Sequence, residues 1–172
     1  MTAAVKILGV CFVIIGAAAI GFLESHKLSR RVHILEALVA VFEQIRSEVL
    51  FLSVPVGQLL PEVAGRCQSE EVQRFLHGVD AQEEDLFSER WQQALNQHAK
   101  ALLLEKDPFY ALCNVGSYLG KYDIKEQDRS LTKTIDRLQQ ALTQARPERD
   151  KKSKLYRTLG ITAGVMSVIF LL

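Results

Sequence analysis

Little in this 172-residue chain invites a chemical reading, and each scarcity removes a class of function. Cysteine occurs three times, at Cys11, Cys67 and Cys113, an odd and widely separated set with no CxxC pair. A disulfide framework and a zinc site are both excluded on that spacing, and the three are expected to be reduced, buried small hydrophobes. The four histidines, His26, His33, His77 and His98, form neither an HxxxH pair nor an HExxH motif, so no metal is assigned. No serine stands in a GxSxG elbow or a Ser-x-x-Lys motif, and no GxxxxGK[ST] loop is present to cradle phosphates. Catalytic residues and cofactors are therefore assigned nowhere, and the chain is not itself a nucleotide-driven motor. An excess of one charge is also missing: 21 Lys and Arg stand against 20 Asp and Glu, which gives no whole-chain field for nucleic acid. The acidic run Glu83, Glu84, Asp85 lacks the ligand spacing of a calcium loop and is read as a solvated surface or as the docking candidate for a basic partner. Glycine and proline are modest, at 10 and 4 residues, and charged residues make up 24 %, so disorder is excluded and the middle of the chain should fold.

What the chain does have is an apolar run at each end. Residues 7–23 carry no charge over 17 positions, and a helix of that length extends roughly 26 Å, close to the hydrocarbon thickness of a bilayer. Residues 159–172 are apolar or small throughout and extend to 155 if Leu155 and Tyr156 lie at the interface. The reading is a transmembrane helix over 1–23, a cytoplasmic segment over 24–154 and a second transmembrane helix over 155–172. Lys27, Arg30 and Arg31 follow the first run, and Arg146, Arg149, Lys151, Lys152, Lys154 and Arg157 precede or open the second. Both basic flanks belong to the middle segment, which the positive-inside tendency holds in the cytoplasm, where unpaired cysteines also belong. The alternative for the N-terminus is a secretory signal cleaved after Ala17-Ala18-Ala19, and the basic residues that follow oppose translocation. Small residues recur at helical spacing in both runs, Ala17 with Gly21 and Gly160 with Gly164, and either pack one span on another or face lipid. His26 and His33, seven apart on one helical face, sit where they would meet lipid headgroups sooner than a metal.

The middle segment reads as helices only. Leu28, Val32, Leu35, Leu38, Phe42, Ile45, Val49 and Leu52 step by three and four along one amphipathic helix, which Ser53, Pro55 and Gly57 end. Pro61 predicts a kink or a late start in the next helix. Ser69 with Glu70 and Glu71 caps a short helix that Gly78 closes. Residues 79–89 read as a loop, and Phe87, Trp91, Leu95, His98 and Leu102 then trace another stripe. Asp107-Pro108 starts a helix through Phe109, Leu112, Cys113, Val115 and Leu119, stopped by Gly120. The last helix starts at Asp123, with Glu126 as a capping-box partner, and carries Ile124, Leu131, Ile135, Leu138 and Leu142. Gly116 and Gly120, one turn apart, either admit a close helix contact or weaken a helix end. Period-two alternation is nowhere sustained, so the fold class is all-α, an antiparallel bundle of five or six helices flanked by the two transmembrane helices. Pro147 is the hinge candidate between bundle and C-terminal anchor.

Three blocks together resemble the stage III sporulation protein AB family: an apolar helix at each end, ALVAVFEQIRSEVLFLSVPVGQLLPEVA after the first, and VGSYLGKYDIKEQDRSLTKTIDRLQQAL before the second. The likeness extends, more distantly, to the cytoplasmic domain of the inner-membrane platform protein of type II secretion and type IV pilus machines. Within that pattern Phe42 to Leu52 with Glu48 lead to the proline turn Val54-Pro55-Val56, and Leu119-Gly120-Lys121-Tyr122-Asp123 matches the platform family's glycine-bearing bend. Residues 65–105 match poorly. The resemblance implies a noncatalytic adaptor at the mother-cell membrane, part of the channel complex joining mother cell to forespore during endospore formation. As partners it implies the membrane, a cytoplasmic ATPase like stage III sporulation protein AA, the other channel subunits and a possible homo-oligomer, because platform proteins carry two such domains and this chain one.

Two other functions compete. A membrane enzyme would need a cleft gathering histidine or cysteine with other polar groups. A self-assembling structural module would pair the heptad-like stripes of residues 35–52 and 124–142 between chains.

Overall fold

The computed structural model describes the backbone of residues 2–51, 56–79, 87–120 and 123–171, with side chains except for most of 1–21 and of 153–171. Its elements are α1 (Thr2–Phe51), α2 (Val56–Arg66), α3 (Glu70–His77), α4 (Phe87–His98), α5 (Lys106–Cys113), α6 (Val115–Tyr118) and α7 (Ile124–Leu171). Strands are absent among the described residues, so the fold is all-α. The chain divides into two compact units, residues 31–144 and the two ends, 1–30 with 145–172.

In the unit of residues 31–144, the stretch from α1 is the central helix. The expected stripe of Val32, Leu35, Leu38, Phe42, Ile45 and Val49 is buried, and so are Ile34, Val41 and Glu48, which repeat every seven residues on a second face. A surface helix buries one stripe; burial on two faces means neighbours on two sides. The α7 helix lies along α1 in antiparallel sense, because Arg46 pairs with Asp128 while the earlier Glu43 accepts a hydrogen bond from the later Gln139 at 3.2 Å. The α4 helix reaches the core through Trp91, fully buried, whose ring meets Phe42 and Phe75 edge to face at 6.3 and 5.0 Å and tilts against Phe87 at 5.8 Å. Its indole N–H donates to the Leu112 carbonyl at 2.7 Å, so the one polar atom of the largest core side chain is satisfied.

Several element boundaries differ from the sequence expectation. The α2 helix does not start late: it begins at Val56 and runs through Pro61. Pro61 is exposed, so the carbonyl that loses its donor can turn to water. The α4 helix opens at Phe87, inside the stretch expected as loop. Glu105 is the N-cap of α5, ahead of the expected Asp107, and Pro108 takes the third helical position, where a missing N–H leaves no helical carbonyl short. That helix breaks at Asn114 before the single turn of α6. Ser69 does cap α3 in extended conformation, although its hydroxyl donates to Glu71 Oε2 at 2.8 Å and not to the backbone. The first turn of α7 forms where expected, the Asp123 carbonyl accepting the N–H groups of Glu126 and Gln127 at 2.9 and 3.0 Å. Ile124, however, is exposed, and the buried stripe begins at Gln127 before Leu131, Ile135, Leu138 and Leu142. Cys67 and Cys113 are free but only half-buried, not core residues; Cys11 lies outside the described side chains.

The two glycines of the α6 region have different tasks. A Cβ on Gly116 would lie 3.1 Å from Trp91 Cβ and 3.2 Å from Ser88 Cα, so its smallness lets α6 approach α4. Gly120 has φ +80°, the left-handed conformation that turns the chain into α7.

In the other unit, the N-terminal portion of α1 and the C-terminal portion of α7 are helical through residues 2–30 and 145–171. No helix is long and apolar enough to cross a membrane among the described residues. The two runs expected to do so, 7–23 and 159–172, fall mostly on side chains outside them.

Candidate docking end of the bundle

The second and third sequence blocks meet at one end of the 31–144 unit, opposite the end where the chain enters at Arg31 and leaves at Gln144. The C-terminal turn of α1, the start of α2, the Gly120 bend and the first turns of α7 are gathered there. A Cβ on Gly120 would lie 3.1 Å from Val56 Cγ2, which joins the bend to the start of α2. Its N–H donates to Gln127 Oε1 at 3.2 Å, so a nearly buried α7 side chain holds the bend in place. Tyr118 and Thr134 share a buried hydrogen bond of 3.1 Å just behind it. Burial pushes the Tyr118 hydroxyl up to about 12, partly opposed by Thr134.

Charged groups bracket this end. Arg46 pairs with Asp128 across α1 and α7, and that hydrogen bond raises the guanidinium's already high pKa. Glu48, nearly buried, accepts from Gln44 Nε2 at 3.0 Å and faces Arg66 of α2 at 3.5 Å. Part-exposed pairs of this kind contribute about 0–1 kcal/mol to stability, so their main effect is to fix helix register. Exposed apolar surface caps the end: Phe51 is 80 % accessible and Ile124 42 %.

Between α1 and α2 a groove of about 270 Å³ is lined by His33, Glu36, Gln44, Arg66 and Cys67, among others. Its polar lining makes it a place to look for the cleft an enzyme would need. Burial raises the Cys67 thiol, against the smaller effect of its contact with the Ser69 carbonyl, and burial raises Cys113 likewise. Both thiols are thereby held protonated, the opposite of an activated nucleophile. Groups of three or more potential metal ligands do not occur among the described residues. His26, His33 and His77 are exposed and His98 is half-buried.

The docking candidates Glu83, Glu84 and Asp85 lie outside the described residues. Pro147 lies within α7, whose helix continues through it. Ala17, Gly21, Gly160 and Gly164 are in helical backbone, and their packing lies outside the described side chains. Ile124 was expected on the apolar stripe of α7 and Phe51 was not named; the signal available was Phe51 falling off the Val49–Leu52 stripe.

Charge is segregated although the total is near zero. Residues 31–144 hold 12 Lys and Arg against 17 Asp and Glu, net −5, and the unit of the two ends holds nine against three, net +6.

The comparisons agree with one another. A solved structure of stage III sporulation protein AB superposes with a TM-score of 0.63 at 18 % identity, covering 71 % of this chain and 98 % of that one, which bears on the fold. Stage III sporulation protein AB of Bacillus subtilis (strain 168) is 21 % identical over 169 residues, 97 % of this chain and 99 % of that protein. The family model of stage III sporulation protein AB matches residues 6–172, and the chain belongs to that family.

Proposed function

We propose that the protein is a noncatalytic membrane adaptor of the channel complex between mother cell and forespore, anchored by both chain ends and docking a cytoplasmic secretion-type ATPase like stage III sporulation protein AA. The observation that carries the anchoring is the boundary found on both terminal helices. Phe22 and Leu23 on α1 and Leu155 on α7 are large, exposed hydrophobes; Leu155 adjoins Lys154, and Leu23 is followed by Glu24 and, one turn on, by Lys27, Arg30 and Arg31 on the side of the 31–144 unit. That sequence of apolar then basic surface is what a helix shows where it leaves a bilayer on the cytoplasmic side. Ala17 with Gly21 and Gly160 with Gly164 would let the two spans pack closely.

The acidic 31–144 unit supplies the surface for a basic partner, with Phe51 and Ile124 as apolar contacts and Glu83, Glu84 and Asp85 as charged ones. Pro147 serves as the joint between bundle and anchor, because its missing N–H leaves the Thr143 carbonyl without a helical donor. The test is association of the full-length chain, reconstituted in nanodiscs, with the purified ATPase. Saturable binding is expected, weakened at least tenfold by Phe51→Ser or by charge reversal at 83–85. No binding at high micromolar concentration contradicts the adaptor role, and unchanged binding in both variants removes this docking surface.

A further inference from the structure

On α1 and on α7 the same motif recurs with opposite polarity of the chain. Leu23, 62 % exposed, lies one helical turn from Lys27, whose side chain is 63 % exposed, and the two share a face. Leu155, 55 % exposed, lies one turn from the exposed Lys151 and directly after the exposed Lys154. In both helices the lysines stand on the side of the hydrophobe nearer the bundle, and both belong to the unit that carries a net +6. An orientation signal in sequence asks only for positive residues somewhere in the flank. Here the lysines share a face with, or adjoin, an exposed hydrophobe, which puts an ammonium group at the depth of a phosphodiester when that hydrophobe sits at the acyl boundary.

We infer that Lys27, Lys151 and Lys154 form a headgroup-binding collar selective for anionic phospholipid over zwitterionic phospholipid. The inference rests on the reading of the chain ends as membrane spans. Charge complementarity commits the occupant: the collar's unit is strongly positive, and a phosphatidylglycerol headgroup carries the net negative charge that phosphatidylcholine lacks. The Lys27–Glu24 pair at 2.7 Å does not cancel the site, because an exposed pair of this kind exchanges readily with another anion.

The experiment reconstitutes the full-length chain in nanodiscs of mixed phosphatidylcholine and phosphatidylglycerol, then counts the lipids retained after transfer to detergent by native mass spectrometry. Preferential retention of phosphatidylglycerol is expected, reduced roughly fivefold for each of Lys27→Gln, Lys151→Gln and Lys154→Gln, preserved by the Lys→Arg versions and lost at high salt. Equal retention of the two lipids, or an unchanged preference in the triple glutamine variant, overturns the collar. Trp91 fluorescence reports that the variants keep their core. A carbonate wash of proteoliposomes made only of phosphatidylcholine reads the spans separately. A chain that stays in those vesicles without a lipid preference refutes the collar and keeps the spans; a chain released from them refutes the spans, and with them the collar built on their boundary.

Discussion

Gly116 carries a hydrogen where any other residue would carry a Cβ, and the space it leaves is taken by Trp91 and the backbone of Ser88. Since Ser88 Cα cannot rotate away, Gly116→Ala should separate α6 from α4 and destabilise the protein by about 1–3 kcal/mol, read by chemical denaturation. Trp91→Ala removes the ring on which Phe42, Phe75 and Phe87 converge and should cost about 3–5 kcal/mol in the same measurement. Tyr118 gives a pH dependence with a definite sign. Its hydroxyl is neutral in both folded and unfolded states at pH 7. It ionises in the unfolded chain near pH 10, whereas burial holds it protonated in the fold up to about 12. Its contribution is complete below about pH 10 and is lost as pH rises through that window, by up to about 1.4 kcal/mol per pH unit. Thermal melts of Tyr118→Phe should lack that part of the alkaline slope while losing the Thr134 hydrogen bond, worth about 0.5–1.5 kcal/mol at all pH values. At this scale sequence foresaw that Trp91 lies on an apolar stripe with Phe87, one turn earlier in α4, but the convergence of Phe42 from α1 and Phe75 from α3 on the same ring is a tertiary fact without a local signal. The cysteines were misplaced for a related reason: apolar character permits burial, and whether a position is covered depends on the neighbour's register.

At the scale of elements, periodicity read the stripes of α1 and α7 well because each is long and one face of each is covered without interruption. Ile34 and Val41 were missed because a central helix buries a second face, and sequence cannot tell a second neighbour from water. The break at Asn114 was also illegible: Phe109 to Leu119 keeps helical spacing across it, and the close α4 contact at Gly116 decides that the chain must step aside. Gly120 was read correctly as a stop, since φ +80° suits glycine above other residues. Gly120→Ala should cost about 1–2 kcal/mol from backbone strain, with a further penalty at Val56. Of the candidate docking end, the two blocks that meet there were visible as sequence, but their meeting and the exposure of Phe51 and Ile124 were not. Pro147 lies in a helix that does not break. If it is the joint, Pro147→Ala should restore a hydrogen bond to Thr143 and slow amide exchange through residues 144–150, with no change around Trp91.

For the whole molecule, the near-zero total charge concealed the division that matters most. A net +6 on the unit of the two ends and −5 on residues 31–144 separate a surface suited to an anionic membrane from one suited to a basic protein. This division is what the proposed adaptor would use, an anionic surface at one end of its task and a basic partner at the other. The claim on which the adaptor reading depends is that both ends are anchored with residues 31–144 between them on the cytoplasmic side. Limited trypsin treatment of full-length chain in membranes of known sidedness measures it directly, followed with an antibody to the segment around Trp91. Digestion of that segment in inverted vesicles and its protection in intact protoplasts are expected if the ends are anchored in this way; digestion in protoplasts, or recovery of the intact chain in the soluble fraction without detergent, would overturn the anchoring.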